Sequence, residues 1–161
     1  VSSSAASDVY KRQALDKKGG TSIEYIRQFM KGKFPGAPKF AVLISDVKDI
    51  AKAHVACIGN NKVGGRRLIV GKDVKRLVEL SQLIAEAMPE YKKKLPTKEL
   101  PNLMVKLISY IDSSAKTMIP DLGIMMQTDT SYAEEILGFK FKPAKGCISE
   151  NAKSVVRLGL V

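Results

Sequence analysis

The segment from Asp46 to Ile58 constrains this chain more than any other. Val47, Ile50, Ala51, His54, Val55 and Ile58 recur at intervals of 3, 1, 3, 1 and 3 residues, which is one continuous face of an amphipathic helix. Asp46 stands where a capping carboxylate accepts backbone N–H groups. Asp49 lies in the first turn, where a negative charge suits the helix dipole, and Gly59-Asn60-Asn61 supplies the stop. On this pattern His54 belongs to the apolar face and reads as a packed core histidine. Asp46 and Asp49 read as capping residues before they read as an acid–base pair.

Other elements follow from the same kind of signal. Residues 21–31 place Ile23, Ile26, Phe29 and Met30 on one helical face, and the Gly-Lys-Phe-Pro-Gly-Ala-Pro run at 32–38 ends it. Phe40 to Ile44 is a short apolar run of the kind a buried strand shows. Residues 66–70 predict a second strand. Asp73 is expected to cap a helix that turns Leu77, Leu80, Ile84 and Ala87 inward and stops at Pro89. Leu100, Leu103, Leu107 and Ile111 are helically spaced, and a weaker helical turn precedes Pro120. Ile124 to Thr128 reads as a strand with Met125 and Met126 in the core. Ser131 opens a short helix that Gly138 ends, and Ile148, Ala152, Val155 and Val156 mark the last helix. With 161 residues, 45% of them hydrophobic, the chain can form one domain with a real core. Helices separated by short strands predict an α/β or α+β class with an incomplete sheet, rich in helix.

Composition excludes several kinds of chemistry. Two cysteines, Cys57 and Cys147, lie within apolar helical patterns and suit small buried hydrophobes, and one histidine leaves zinc almost no ligands. The net charge of +11 could serve a polyanion, but the ten aromatics do not interleave with the basic residues, so nucleic acid is not the expected partner. A solvated basic surface that helps to attract anionic ligands accounts for the charge. No apolar stretch long enough to span a membrane and no secretory signal are visible, which leaves a cytoplasmic protein with no membrane partner as the default.

Three segments carry a family resemblance in the correct order. Asp46-Val47-Lys48-Asp49-Ile50-Ala51-Lys52-Ala53-His54 resembles an Asp-Val-Arg-Asp-Val-Ala-x-Ala-His signature, with Lys48 where arginine is usual. Gly65-Arg66-Arg67-Leu68-Ile69 is similar to a Gly-x-Arg-Phe/Tyr-Ile strand. Tyr132 to Pro143 resembles a closing Lys-Ala-x-x-Glu-Leu-Gly-Trp-x-Pro motif, departing from it at Tyr132, Ile136 and Phe139 and by one extra residue before the proline. Together they resemble the C-terminal, substrate-side half of the extended short-chain dehydrogenase/reductases, in the dihydroflavonol-reductase, aldehyde-reductase and epimerase-like branch. The resemblance covers residues 21–161. Residues 1–13 match nothing in it and look like a translated library adapter, so the expected division is a non-native leader at 1–13 and a reductase fragment at 14–161.

The resemblance implies a parent that reduces a ketone, aldehyde or flavonoid-like carbonyl with NADP(H) or NAD(H); an epimerase or dehydratase half is the alternative, and a basic nucleic-acid module the alternative from another class. It also implies what should accompany this half. A tyrosine that donates a proton as hydride arrives, with a lysine one helical turn on, requires Tyr-x-x-x-Lys, and no tyrosine here is followed by lysine at that spacing. No two of the twelve glycines lie three apart, so the family's Gly-rich pyrophosphate turn is missing too. This chain is therefore expected to bind no cofactor and to be inactive alone, with the 47–58 face left partly uncovered. Phe34, Phe40, Ile44 and Ser45, which flank the proline-rich loop and the first strand, are the positions that the resemblance brings nearest the substrate; ordinary packing is the other reading of them.

Overall fold

The computed structural model describes residues 21–110, 116 and 119–161. The expected leader at 1–13, and most of the helical turn expected before Pro120, lie outside them. Helix α1 (Thr21–Met30) is followed by strand β1 (Ala41–Ile44), helix α2 (Val47–Cys57), strand β2 (Asp73–Arg76), helix α3 (Leu77–Ala87), helix α4 (Asn102–Ile108), helix α5 (Ser131–Leu137) and helix α6 (Ala144–Arg157). Helices dominate and the strands are short, as the sequence pattern leads one to expect. No helix among the described residues is long and apolar enough to cross a membrane.

The main core forms where α1, α3 and α6 pack around β1. Ile23, Phe29 and Met30 come from α1, Leu77, Leu80 and Ile84 from α3, and Cys147, Ile148, Ala152 and Val155 from α6. With Ile26 added to the α1 set, neighbours within each set stand one, three or four residues apart, so each helix presents one apolar stripe inward. A smaller core joins Ala53 of α2 to Ala133 and Leu137 of α5 and to Phe141. Phe139 stands edge-on to Phe141, with ring centroids 5.4 Å apart.

β1 and β2 pair antiparallel, with Ala41 opposite Arg76 and Ile44 opposite Asp73. The second strand is thus displaced from the expected 66–70, a segment without regular structure whose Val70 carbonyl accepts from the hydroxyl of Ser45, the residue after β1, at 2.6 Å. Gly71 explains the position of the turn. A Cβ there would lie 2.8 Å from Leu43 Cγ and 2.9 Å from Ser45 Oγ, so only glycine lets the chain pass this close before it pairs with β1.

Three further expectations are corrected. Asp73 does not cap α3, which has Arg76 at its N-cap, with the Glu79 carboxylate accepting from the Arg76 backbone N–H at 2.7 Å. α2 keeps its expected bounds and its Asp46 cap, whose carboxylate accepts from the Lys48 N–H at 2.8 Å, but it buries the opposite face. Asp49 and Ala53 point inward, whereas Val55 is 69% and Ile58 81% exposed and His54 lies on the surface, its Nδ1 2.7 Å from the Ile50 carbonyl oxygen. Residues 124–128 form no strand, and Met125 and Met126 are exposed, because no strand among the described residues reaches them to supply a ladder.

Candidate functional site

Between α1, β1, α3 and α6 lies an apolar cavity of about 130 Å³. Protein interiors pack with few voids larger than a water molecule, so a space of this size is a costly feature of a core.

Three of the four substrate-contact residues expected from the sequence line this cavity: Phe40 at the entry to β1, and Ile44 and Ser45 at its exit. Phe34 does not. It is half-buried and stacks edge-on against Phe29, centroid to centroid 5.1 Å at an interplanar angle of 89°, and it is Phe29 that faces the space. The structure therefore gathers Phe40, Ile44 and Ser45 at one wall and sets Phe34 one ring behind it.

Two polar residues of the lining escaped the sequence reading. Tyr25 sits beside the Ile23 and Ile26 stripe of α1, and burial pushes its phenol above the usual value. Asn151 is 8% exposed and belongs to the inward face of α6. A signal for the latter was present: an amide between Ile148, Ala152 and Val155 interrupts an otherwise apolar stripe, and a buried amide needs a reason to be there. Among the described residues, no Lys, Arg, Asp or Glu lines the cavity.

Charge gathers instead around the segment Phe141-Lys142-Pro143-Ala144. Its three backbone N–H groups go to three buried or half-buried carboxylates from three different elements. Glu134 of α5 accepts from Phe141 at 2.9 Å, Asp49 of α2 from Lys142 at 2.6 Å, and Asp73 of β2 from Ala144 at 2.7 Å. Asp73 thus serves the first turn of α6, where its charge also suits the helix dipole. Glu134 receives the Lys72 ammonium at 2.8 Å and that of Lys140 at 3.0 Å as well, and the Lys72 bond above all holds its carboxyl down at about 2. The Lys142 ammonium bonds Glu150 and lies 3.4 Å from Asp46, partners that raise its pKa, Glu150 first. These carboxylates are occupied with backbone and ammonium groups, which leaves Asp46 and Asp49 as structural residues and not an acid–base pair. Cys147, 1% exposed, has its thiol pushed up to about 12, chiefly by burial, which makes it a poor nucleophile.

A strand feeds a helix at two places among the described residues, β1–α2 and β2–α3, and the first has a capped helix N-terminus at the strand's end, the usual setting for a dinucleotide pyrophosphate. The residues there do not fit one. Asp46 fills the helix N-terminus with its own carboxylate at 2% exposure, and Asp49 adds a second negative charge in the first turn.

No protein-family model matches the chain, and no curated protein does. Solved structures do. Yeast methylglyoxal/isovaleraldehyde reductase Gre2 complexed with NADPH is 22% identical over 84% of this chain and 40% of its own, with a TM-score of 0.60. Gre2 from Candida albicans in complex with NADPH is 20% identical over 89% of this chain and 38% of its own, at 0.62. The structure of gox2253 is 16% identical over 91% of this chain and 47% of its own, at 0.70. This chain spans less than half the length of each. Within that span it has the fold of Gre2-type reductases, the fold-level counterpart of the resemblance carried by residues 46–54, 65–69 and 132–143.

Proposed function

We propose that this chain supplies the substrate-side part of an NAD(P)H-dependent oxidoreductase that reduces a ketone, aldehyde or flavonoid-like carbonyl to an alcohol. The fold shared with the two Gre2 structures that hold NADPH carries the reading. The ordered segments at 46–54, 65–69 and 132–143 support it from the sequence. In this reading Phe40, Ile44 and Ser45 contact the substrate, and Phe34 braces Phe29 behind them. The yeast relative is a reductase of isovaleraldehyde, a branched aliphatic aldehyde, and an apolar wall suits a substrate of that kind.

The cofactor would be held by a part of the protein beyond these residues, since the β1–α2 junction carries carboxylates where a pyrophosphate would need bare N–H groups. NADPH or NADH would supply the hydride there. The contribution of the present residues is to bind the substrate and to exclude water from it. A cytoplasmic location and a small-molecule carbonyl partner belong to the same proposal.

The experiment is to extend the reading frame upstream, express the longer protein and follow NADPH absorbance with a panel of aldehydes and ketones. Oxidation that depends on both NADPH and carbonyl, from a frame that contains a Gly-rich turn and a Tyr-x-x-x-Lys pair, is the expected result. An upstream frame with neither feature would sink the reading.

A further inference from the structure

We propose that the 130 Å³ cavity between α1, β1, α3 and α6 holds the apolar tail of a neutral ligand, a branched chain of about five or six carbons or a single unsubstituted ring, and rejects carboxylates of the same shape. This deepens the reductase reading by naming the class of substrate tail, and rests on that reading only for the word substrate.

Size sets the upper limit. An apolar cavity of about 150 Å³ accepts benzene, so the 130 Å³ here suits the burial of one such ring and no more. Lining sets the polarity. Ile23, Ile26, Leu80, Ile84 and Ile148 offer only hydrocarbon, so a bound methyl or ring replaces contacts that the void lacks. A charged group is refused because no Lys or Arg among the described residues lines the space, and a carboxylate would be stripped of water with no opposite charge to receive it. One neutral oxygen is tolerated. Tyr25 and Asn151 both border the cavity and both carry donors, whereas the Ser45 hydroxyl proton is already given to the Val70 carbonyl at 2.6 Å.

The test uses the chain with ¹³C-labelled isoleucine methyls and three probes: benzene, 4-methylpentan-2-one and 4-methylpentanoate. Saturable shifts are expected from the first two, confined to Ile23, Ile26, Ile44, Ile84 and Ile148, while the surface residues Ile58, Ile69 and Ile124 stay unmoved. The carboxylate should bind at least tenfold more weakly. Ile84→Phe fills the space and should weaken both neutral probes at least tenfold. Should that variant fail to fold, mutual displacement of benzene and the ketone from the unaltered chain does the same service. Undispersed methyl spectra, equal affinity for ketone and carboxylate, or shifts spread over the surface isoleucines would each overturn the proposal. Probes that saturate as expected while the longer protein reduces no carbonyl would overturn the reductase reading and leave the cavity assignment standing; an active reductase whose isoleucines ignore all three probes would do the reverse.

Discussion

Helices α2 and α3 are each eleven residues long, both apolar in pattern, and opposite in outcome. α3 buries Leu77, Leu80 and Ile84, the residues its spacing singles out, and Ile84 is fully enclosed. α2 has an equally regular stripe and turns it outward, so that Val55 and Ile58 meet solvent while Asp49 and Ala53 face the protein. The difference lies in what each helix meets. α3 packs on α6 and on β1, which are apolar. α2 meets α5 mainly through the small side chains of Ala53 and Ala56, beside Ala133 and Leu137, and meets the 141–144 segment through a carboxylate that a backbone N–H requires. Hydrophobic spacing therefore identifies a face, and the neighbouring elements decide whether it is covered.

The largest effect that would test this contrast is expected in the enclosed region. Phe29→Ala removes a ring that braces Phe34 and borders the cavity, and should cost about 3–5 kcal/mol in urea unfolding, or unfold the chain outright. A loss below about 1 kcal/mol would show that the α1–α3–α6 core is loosely packed.

A second, pH-dependent effect should come from the smaller core. The folded-state pKa of Glu134, about 2, lies below the ordinary 4.5, so its ion pairs stabilise fully above pH 4.5 and are lost as pH falls toward 2. Thermal midpoints measured between pH 5 and pH 2 should fall more steeply for the unaltered chain than for Glu134→Gln, and the variant should melt lower at pH 6. Parallel curves would contradict the role given to Lys72, Lys140 and the Phe141 N–H.

The smallest effect belongs to the open face. Ile58→Lys should change unfolding free energy by no more than about 0.5 kcal/mol, as expected for a surface site, and should lower any tendency to associate in light scattering. A loss above about 2 kcal/mol would mean that this face is covered and that the contrast with α3 is false.

Much of the fold was legible where local chemistry decides it. α2 begins at its expected cap, α1 and α3 end near the glycine and proline expected to stop them, and Gly138 closes α5 in the left-handed conformation that its residue type permits, with φ at +73°. The sheet partner was not legible, because Asp73-Val74-Lys75-Arg76 has poor strand propensity and is extended only through pairing with β1, whereas the more strand-like 66–70 has no such partner. At the cavity, Phe40, Ile44 and Ser45 were within reach of the sequence since they flank one strand. Tyr25 and Asn151 were not, because they arrive from helices that lie 126 positions apart and meet only when the core closes.

The three backbone bonds at Phe141, Lys142 and Ala144 bear on the order in which the chain folds. Asp49 is 93 positions from Lys142, and Asp73 is 71 from Ala144, so two of the three form only after loops of that length have closed. The Glu134 bond spans 7 residues and can be present early. The entry to α6 should thus be held first by its immediate predecessor and become fixed late, when the distant α2 and β2 carboxylates arrive, a contact order that places this joint among the slower steps to native structure. Proline is excluded from the three donor positions, since each N–H is in use, and is free to stand only where it does, at Pro143.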